Sequence, residues 1–392
     1  MRPLAMTALC IASSLGAGLD ATLSALRRGT SGLSPCRFET ADLPTWVGEV
    51  QGLDDRSLEQ DYAGFDCRNN RLARLALAQD GFEAAIEVAK ARYGPARIGV
   101  FLGTSTSGIL QTEQAWRRRD ADGSLPADFS YAGTQSTFSV ADFVMTMLGV
   151  SGPALVVSAA CASTTKVFAT AARMIETGMC DAAIVGGSDS LCLTTLYGFN
   201  ALQLLSADPC RPFDAARSGL SLGEAAGFAL LEPPSAGGLH VLGIGESSDA
   251  YHMSAPHPDG IGAALSMSRA LRSAGLRPEQ IDYINLHGTA TRIGDAAEDQ
   301  AVVSLFGEAT PCSSTKGHTG HTLGASGIVE AVIAALSITE GFLPGSPHTE
   351  ARDPGLRCRY VTTPASDRVD RVLSNSFGFG GSNASLILGR SA

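Results

Sequence analysis

The sequence predicts an α/β protein, on three observations. Short apolar runs ending in glycine or serine alternate with alanine-rich stretches of helical period. Charged residues make up only 17% of the chain against 44% hydrophobic, and 44 glycines punctuate its 392 residues. Alternation of this kind builds layered α/β domains. The strands are apolar without interruption, as strands covered on both faces are.

The first element is the least obvious. MRPLAMTALCIASSLGAG has a positive charge, an apolar stretch and small residues, like a secretory leader. Thr7, Ser13 and Ser14 interrupt it, and it runs directly into LDATLSALRRGTSG, a helix with a glycine stop. It therefore reads as a first core strand. Further strands are expected at Ile98–Gly103 (IGVFLG), 155–158, 182–187 (AAIVGG), 227–231, 281–286 and 372–374. Helices are expected at 72–90, 162–177, Ile261–Ala274 and 327–339. EPPSAGG at 232–238 breaks the pattern and divides the chain into halves, 1–235 and 236–392, with similar sequences of elements. That arrangement suggests a duplicated fold with a shorter second copy.

Composition narrows the function. A net charge of −10 with no long basic run argues against a nucleic-acid binder. No run of about 20 apolar residues is present to span a membrane. Nine cysteines lack a CxxC pair or zinc-type spacing, which favours reduced thiols in a cytoplasmic protein over disulfides or a structural metal.

One cysteine is set apart. In VVSAACASTTKVFATAA, Cys161 falls between a strand and a helix, flanked by Ala159, Ala160 and Ala162. A helix N-terminus favours the thiolate, and small neighbours admit a substrate. The segment is equally compatible with a small core filler. Cys180, Cys192, Cys210, Cys312 and Cys358 lack such a setting. Two histidine turns add weight. His287 follows a strand in IDYINLHGTATRIGD, and Lys316, His318 and His321 share the glycine-rich SSTKGHTGHTLGASG. Strand ends are where α/β folds build sites. In SNSFGFGGSNA, glycines can expose backbone N–H groups while phenylalanines line a channel.

Taken together, IASSLGAG, SAACAST, GGSD, RPFDAARSG, GEAAG, SSDAYHM, HGTATRIGD, KGHTGHTLGASG and NSFGFGGSNA resemble the elongating β-ketoacyl-acyl-carrier-protein synthases of the thiolase-like superfamily. The resemblance implies a five-layered α-β-α-β-α fold of two similar halves, usually dimeric. It implies that Cys161 accepts the acyl group, and that His287 and His321 complete a triad facing the malonyl thioester. It further implies an oxyanion hole from the N–H groups of Cys161 and Phe379. It also implies that Lys316, accompanied by Glu298, orders the histidine loops, that Thr289 and Thr291 contact pantetheine, and that Phe377 and Phe379 gate entry. No metal or organic cofactor is implied, and His321 is favoured over His318. Thiolases use a second cysteine, initiating synthases carry asparagine in place of His321, and chain-length factors lack the nucleophile.

Segment 198–227, GFNALQLLSADPCRPFDAARSGLSLGEAAG, resembles synthases of aryl polyene pathways. For that subtype the resemblance implies a cysteine-less, synthase-like partner, with a homodimer as the alternative. Departures include a short loop at 205–212, Arg292 where proline is common, and Thr106 in GTSTSG at 103–108. The acidic acyl carrier protein needs a basic landing, for which Arg68, Arg71 and Arg74, or Arg117–Arg119, are the candidates. Two alternatives stand beside condensation: an idle scaffold or length-setting subunit, and acyl transfer to a non-malonyl acceptor.

Overall fold

The computed structural model describes residues 1–390. The apolar runs become strands of one long sheet. They are β1 (Leu4–Ser13), β2 (Ile98–Gly103), β3 (Ala154–Val157), β4 (Ala182–Asp189), β5 (Ala225–Glu232), β6 (Leu239–Ser248), β7 (Tyr283–Asn285), β8 (Pro311–Ser313), β9 (Arg359–Tyr360), β10 (Arg371–Gly378) and β11 (Ser382–Arg390). Their order is β9-β8-β7-β10-β11-β6-β1-β5-β4-β2-β3, and Gly16–Ala17 folds back on the end of β1 to make the sheet 12-stranded.

The order repeats itself. Renumbered from its own first strand, β6-β7-β8-β10-β11 is arranged as β1 to β5 are, with the same parallel and antiparallel pairs. The copies meet where β1 and β6 pair antiparallel at Leu4↔Val241 and Ala5↔His240.

Eleven helices accompany the sheet among the described residues: α1 (Leu19–Arg28), α2 (Arg68–Leu77), α3 (Phe82–Tyr93), α4 (Ile109–Arg117), α5 (Ser139–Leu148), α6 (Ser163–Glu176), α7 (Leu193–Ala201), α8 (Ile261–Ala274), α9 (Arg292–Phe306), the short α10 (Lys316–Thr319) and α11 (Ser326–Glu340). Helices α6 and α11 lie between the two halves of the sheet, α2, α3 and α5 cover the outside of the first, and α8 and α9 cover the outside of the second. Each helical layer has its own apolar core. Phe82, Phe143 and Phe228 sit in one, Phe101, Phe168, Ile328 and Leu386 in the central one, and Met267, Ile284 and Val302 in the third. This is the five-layered arrangement. The apolar stretch Leu323–Glu340, long enough to span a bilayer, is instead the buried central helix with its approach.

Some expectations need correction. The helix foreseen over 72–90 is two helices, because Asp80 and Gly81 take left-handed conformations at φ 58° and 70°. The strand at 155–158 was read as buried, but β3 ends the sheet and pairs with β2 alone, leaving Leu155 43% exposed. By contrast β4 and β5, in the interior, are buried at every residue. Strands β6 and β11 were missed: serine, glycine and glutamate dilute their apolar pattern, and in β6 buried and partly buried residues mostly alternate.

A Cβ at Gly81 would meet nothing within 4 Å, so substitution there is penalised by backbone conformation alone. Gly81→Ala is expected to lower stability by about 1 kcal/mol. Urea denaturation should show an earlier midpoint at unchanged m, with activity intact.

Candidate active site

The turn between β3 and α6 is tight. Ala160, just before Cys161, holds φ 48°, a conformation that costs a residue with a Cβ. The Ser163 hydroxyl secures it, donating to the Ala160 carbonyl at 2.6 Å and accepting the Ala159 N–H at 2.9 Å. The end of β10 closes over this elbow: a Cβ on Gly378 would lie 2.9 Å from the Ala159 carbonyl oxygen and 3.2 Å from the Cys161 nitrogen. Only glycine permits that approach, and it brings the Phe379 N–H to the Cys161 sulfur alongside the N–H of Cys161 itself.

Two loops of the second half complete the cluster. His287 follows β7, and the Glu298 carboxylate on α9 fixes its backbone by accepting the N–H groups of His287 and Gly288, both at 2.8 Å. Asn375 donates to the same carboxylate at 3.0 Å. His321 follows α10, its N–H donating to the Ser221 carbonyl at 2.7 Å and its own carbonyl accepting the Gly223 N–H at 3.0 Å. Its Nε2 lies 2.9 Å from the Cys161 Sγ. The two imidazoles meet edge to face, centroids 5.4 Å apart. Phe377 lies against His287 at 5.8 Å, and Phe379 stacks on Phe199 of α7 at 5.4 Å.

Cys161, His287 and His321 line one cavity of about 330 Å³, together with Glu298, Thr289, Thr291, Phe377 and Phe379. The Thr289 and Thr291 hydroxyls are 3.1 Å apart on its wall. Burial dominates the electrostatics. It pushes the Cys161 thiol up to about 12, against the pull of the Lys316 ammonium and of the Phe379 and Cys161 N–H groups. Burial therefore opposes the pull toward the thiolate that the helix start exerts. Burial and the Lys316 charge hold both imidazoles well below the usual histidine range, so both are neutral. The Sγ and two ring nitrogens are also donors of a kind zinc accepts. However, the neighbouring ammonium opposes a cation, and the buried His287 Nδ1 lacks the second partner that ligating histidines keep.

Family models for the β-ketoacyl synthase N-terminal domain match residues 1–236, and those for the C-terminal domain match 240–350. The chain belongs to the β-ketoacyl synthase family. It is an acyltransferase of that condensing class. It is 34% identical over 419 residues to 3-oxoacyl-[acyl-carrier-protein] synthase 2 of Vibrio cholerae serotype O1, covering 99% of both chains. It is 34% identical over 390 residues to nodulation protein E of Rhizobium meliloti, covering 95% of both. Among solved structures it is similar to the ketosynthase ApeO in complex with its chain length factor ApeC from Xenorhabdus doucetiae. That match has a TM-score of 0.91 and 36% identity over 100% of this chain and 98% of the other.

Other predicted residues of this β-ketoacyl synthase are placed differently. Lys316 pairs with Glu330 on α11, both nearly fully buried, whereas Glu298 serves the His287 loop. Glu330 was missed; it is the one acid among otherwise uncharged, buried residues 326–338, which is a readable signal of a buried partner. His318 lies away from the cavity, with its ring nitrogens 2.7 Å from the Thr30 carbonyl and 3.2 Å from the Gly345 carbonyl. Thr106 donates to Asp189 at 2.9 Å and does not line the cavity.

Of the arginine landing candidates, Arg68 needs correction because it is buried. Arg68 is 1% exposed and paired with Glu224 at 2.6 Å and Asp54 at 2.5 Å. Arg71 pairs with Asp66 at 2.6 Å, and Arg74 with Glu59 and Glu83 at 2.9 Å each. Acids both near and far in sequence thus pair each arginine of this helix. In the second triplet, Arg117 pairs with Glu39, Arg118 pairs with Asp128, and Arg119 lies over Trp116.

Lys316→Met is expected to cost about 3–5 kcal/mol at pH 8 by stranding the Glu330 carboxylate. That carboxyl, already pushed up to about 7 by burial against the pull of Lys316, rises further without the ammonium. The folded state then keeps a proton that the unfolded chain has released, so stability increases as pH falls. Urea midpoints at pH 8 and pH 6 should show the variant recovering part of its deficit at the lower pH.

Proposed function

We propose that Cys161 takes an acyl group from carrier-protein phosphopantetheine and joins it to a malonyl unit, with His287 and His321 as oxyanion donors. The observation that carries this reading is the convergence of the Cys161 Sγ and one nitrogen of each histidine, all within 4.8 Å of one another, at the base of a cavity. In the first step the Cys161 sulfur adds to the acyl thioester and the pantetheine sulfur departs, taking the thiol proton. The cysteine and Phe379 N–H groups stabilise the intervening oxyanion. In the second step malonyl thioester loses carbon dioxide, and the electron pair of the broken bond becomes an enolate. Its oxygen lies against the two imidazoles. The carbanion then attacks the acyl carbonyl, the C–S bond breaks, and the cysteine sulfur takes a proton from water. The product is a 3-oxoacyl thioester two carbons longer.

Lys316 and Glu330 act on this chemistry by holding the loop that bears His321. Phe377 and Phe379 form the gate, and Thr289 and Thr291 guide the pantetheine arm. Units 1–235 and 236–392 divide the labour, nucleophile in the first and histidines in the second. The presence of Cys161 supports a catalytic subunit rather than an idle or length-setting one. Likeness to a ketosynthase paired with a chain length factor supports a heterodimer with a related, cysteine-less subunit. Segment 198–227 supports an aryl polyene type of pathway. All nine cysteines are free thiols, which suits the cytoplasm.

For the carrier, the favoured contact is Arg292. It is exposed at the cavity mouth, without a carboxylate partner among the described residues, at the first position of α9. A cation is unfavourable at a helix N-terminus, and an approaching phosphate would offset it.

Intact mass after exposure to acyl-carrier proteins should show an adduct that Cys161→Ala abolishes. Absence of loading, with and without a partner subunit, would leave the scaffold reading in its place. Arg292→Glu should raise the apparent KM for carrier-bound thioesters several-fold and spare short thioesters that lack the phosphate. An equal loss with both would remove Arg292 from the docking contact.

A further inference from the structure

Ser326 lies outside the Cys-His-His cluster but touches it. It is the first residue of α11, 1% exposed, with its Oγ 3.0 Å from the Nδ1 of His321. Behind it the Thr322 hydroxyl donates to the Ser326 Oγ at 3.3 Å. A serine hydroxyl has one proton to give. With Thr322 donating into its oxygen, the Ser326 proton is free to point at Nδ1, an arrangement in which Nδ1 presents a lone pair.

Because the His321 ring is neutral, it carries a single proton, and a hydrogen bond at one nitrogen decides where that proton sits. His287 offers a contrast, since its Nδ1 is buried with no partner and no side chain sets its tautomer.

We propose that the Thr322–Ser326 hydroxyl chain is a positioning device that fixes His321 as an Nε2–H donor. This rests on the reading that His321 faces the malonyl enolate. The oxygen that gains charge on decarboxylation then meets a proton already in place. The opposite tautomer would present a lone pair and repel it. Acyl loading makes no such demand, because the Cys161 proton leaves with the pantetheine sulfur.

The test combines a spectroscopic and a kinetic readout. In protein labelled with ¹⁵N-histidine, the His321 signals, assigned by their loss in His321→Ala, should show the proton on Nε2. Ser326→Ala should populate the Nδ1–H form, and Thr322→Val should do so in part. Carbon dioxide release from malonyl-carrier protein should fall about 10- to 100-fold in Ser326→Ala, the range for lost outer partners of a functional histidine. Loading of Cys161, read by intact mass, should change less than about threefold, and Ser326→Thr should restore carbon dioxide release. An Nδ1–H signal in the unsubstituted protein, an unchanged spectrum in Ser326→Ala, or equal loss in both half-reactions would overturn the proposal. If the unsubstituted protein never loads Cys161, the condensing reading fails separately, and the nitrogen spectrum still decides the tautomer.

Discussion

One buried carboxylate joins the two halves of this site. Asp189 ends β4 and is fully buried. Its Oδ1 accepts the Thr104 hydroxyl and the Ser105 N–H at 2.7 Å, and the Thr106 N–H and hydroxyl at 2.9 Å. Its Oδ2 accepts the Gly324 N–H at 2.5 Å. The Ser105 hydroxyl in turn donates to the Ala160 carbonyl, beside Cys161. Gly324 is three residues beyond His321. The loop supporting the elbow and the loop bearing the histidine thus share one anchor. Charge-assisted hydrogen bonds of this kind are stronger than neutral ones and hold geometry where water cannot compete.

The same dryness sets the chemical character of the centre. Desolvation favours a neutral thiol and two neutral imidazoles at the bottom of the cavity, and the charged groups nearby, Lys316 with Glu330, Glu298 and Asp189, are themselves buried and hydrogen-bonded. Neutral donors aimed at the place where charge will appear reorganise little during the reaction.

Much of this was legible in the chain. The elbow showed as an apolar run meeting small residues before a helical period, and the histidines as glycine-rich turns at strand ends. The duplication showed in EPPSAGG and the repeated element order. What escaped had physical reasons. The Lys316–Glu330 pair joins residues on different helices, so the lone acid in an apolar helix announces a buried partner but not which residue it is. Arg68 looked like part of a surface patch because its acidic partners, Glu49, Asp54 and Glu224, lie elsewhere in sequence. The elbow was read as electrostatically activated because a local pattern reveals a helix start but not the depth of burial. Edge and interior strands likewise differ only in where the topology puts them, as Leu155 shows.

The repeated strand order also has a consequence for biosynthesis. Each half is completed by its last strand inserting between neighbours made earlier, and β11 enters between β6 and β10. The His321 contact with Cys161 spans 160 residues, and the Thr165–Ser376 hydroxyl contact that ties α6 to β10 spans 211. A ribosome therefore delivers the cysteine long before it delivers the walls of its cavity. Through that interval the nascent chain carries Cys161 without the Phe379 N–H, His287 or His321 beside it, so the cluster is assembled only when the sheet closes.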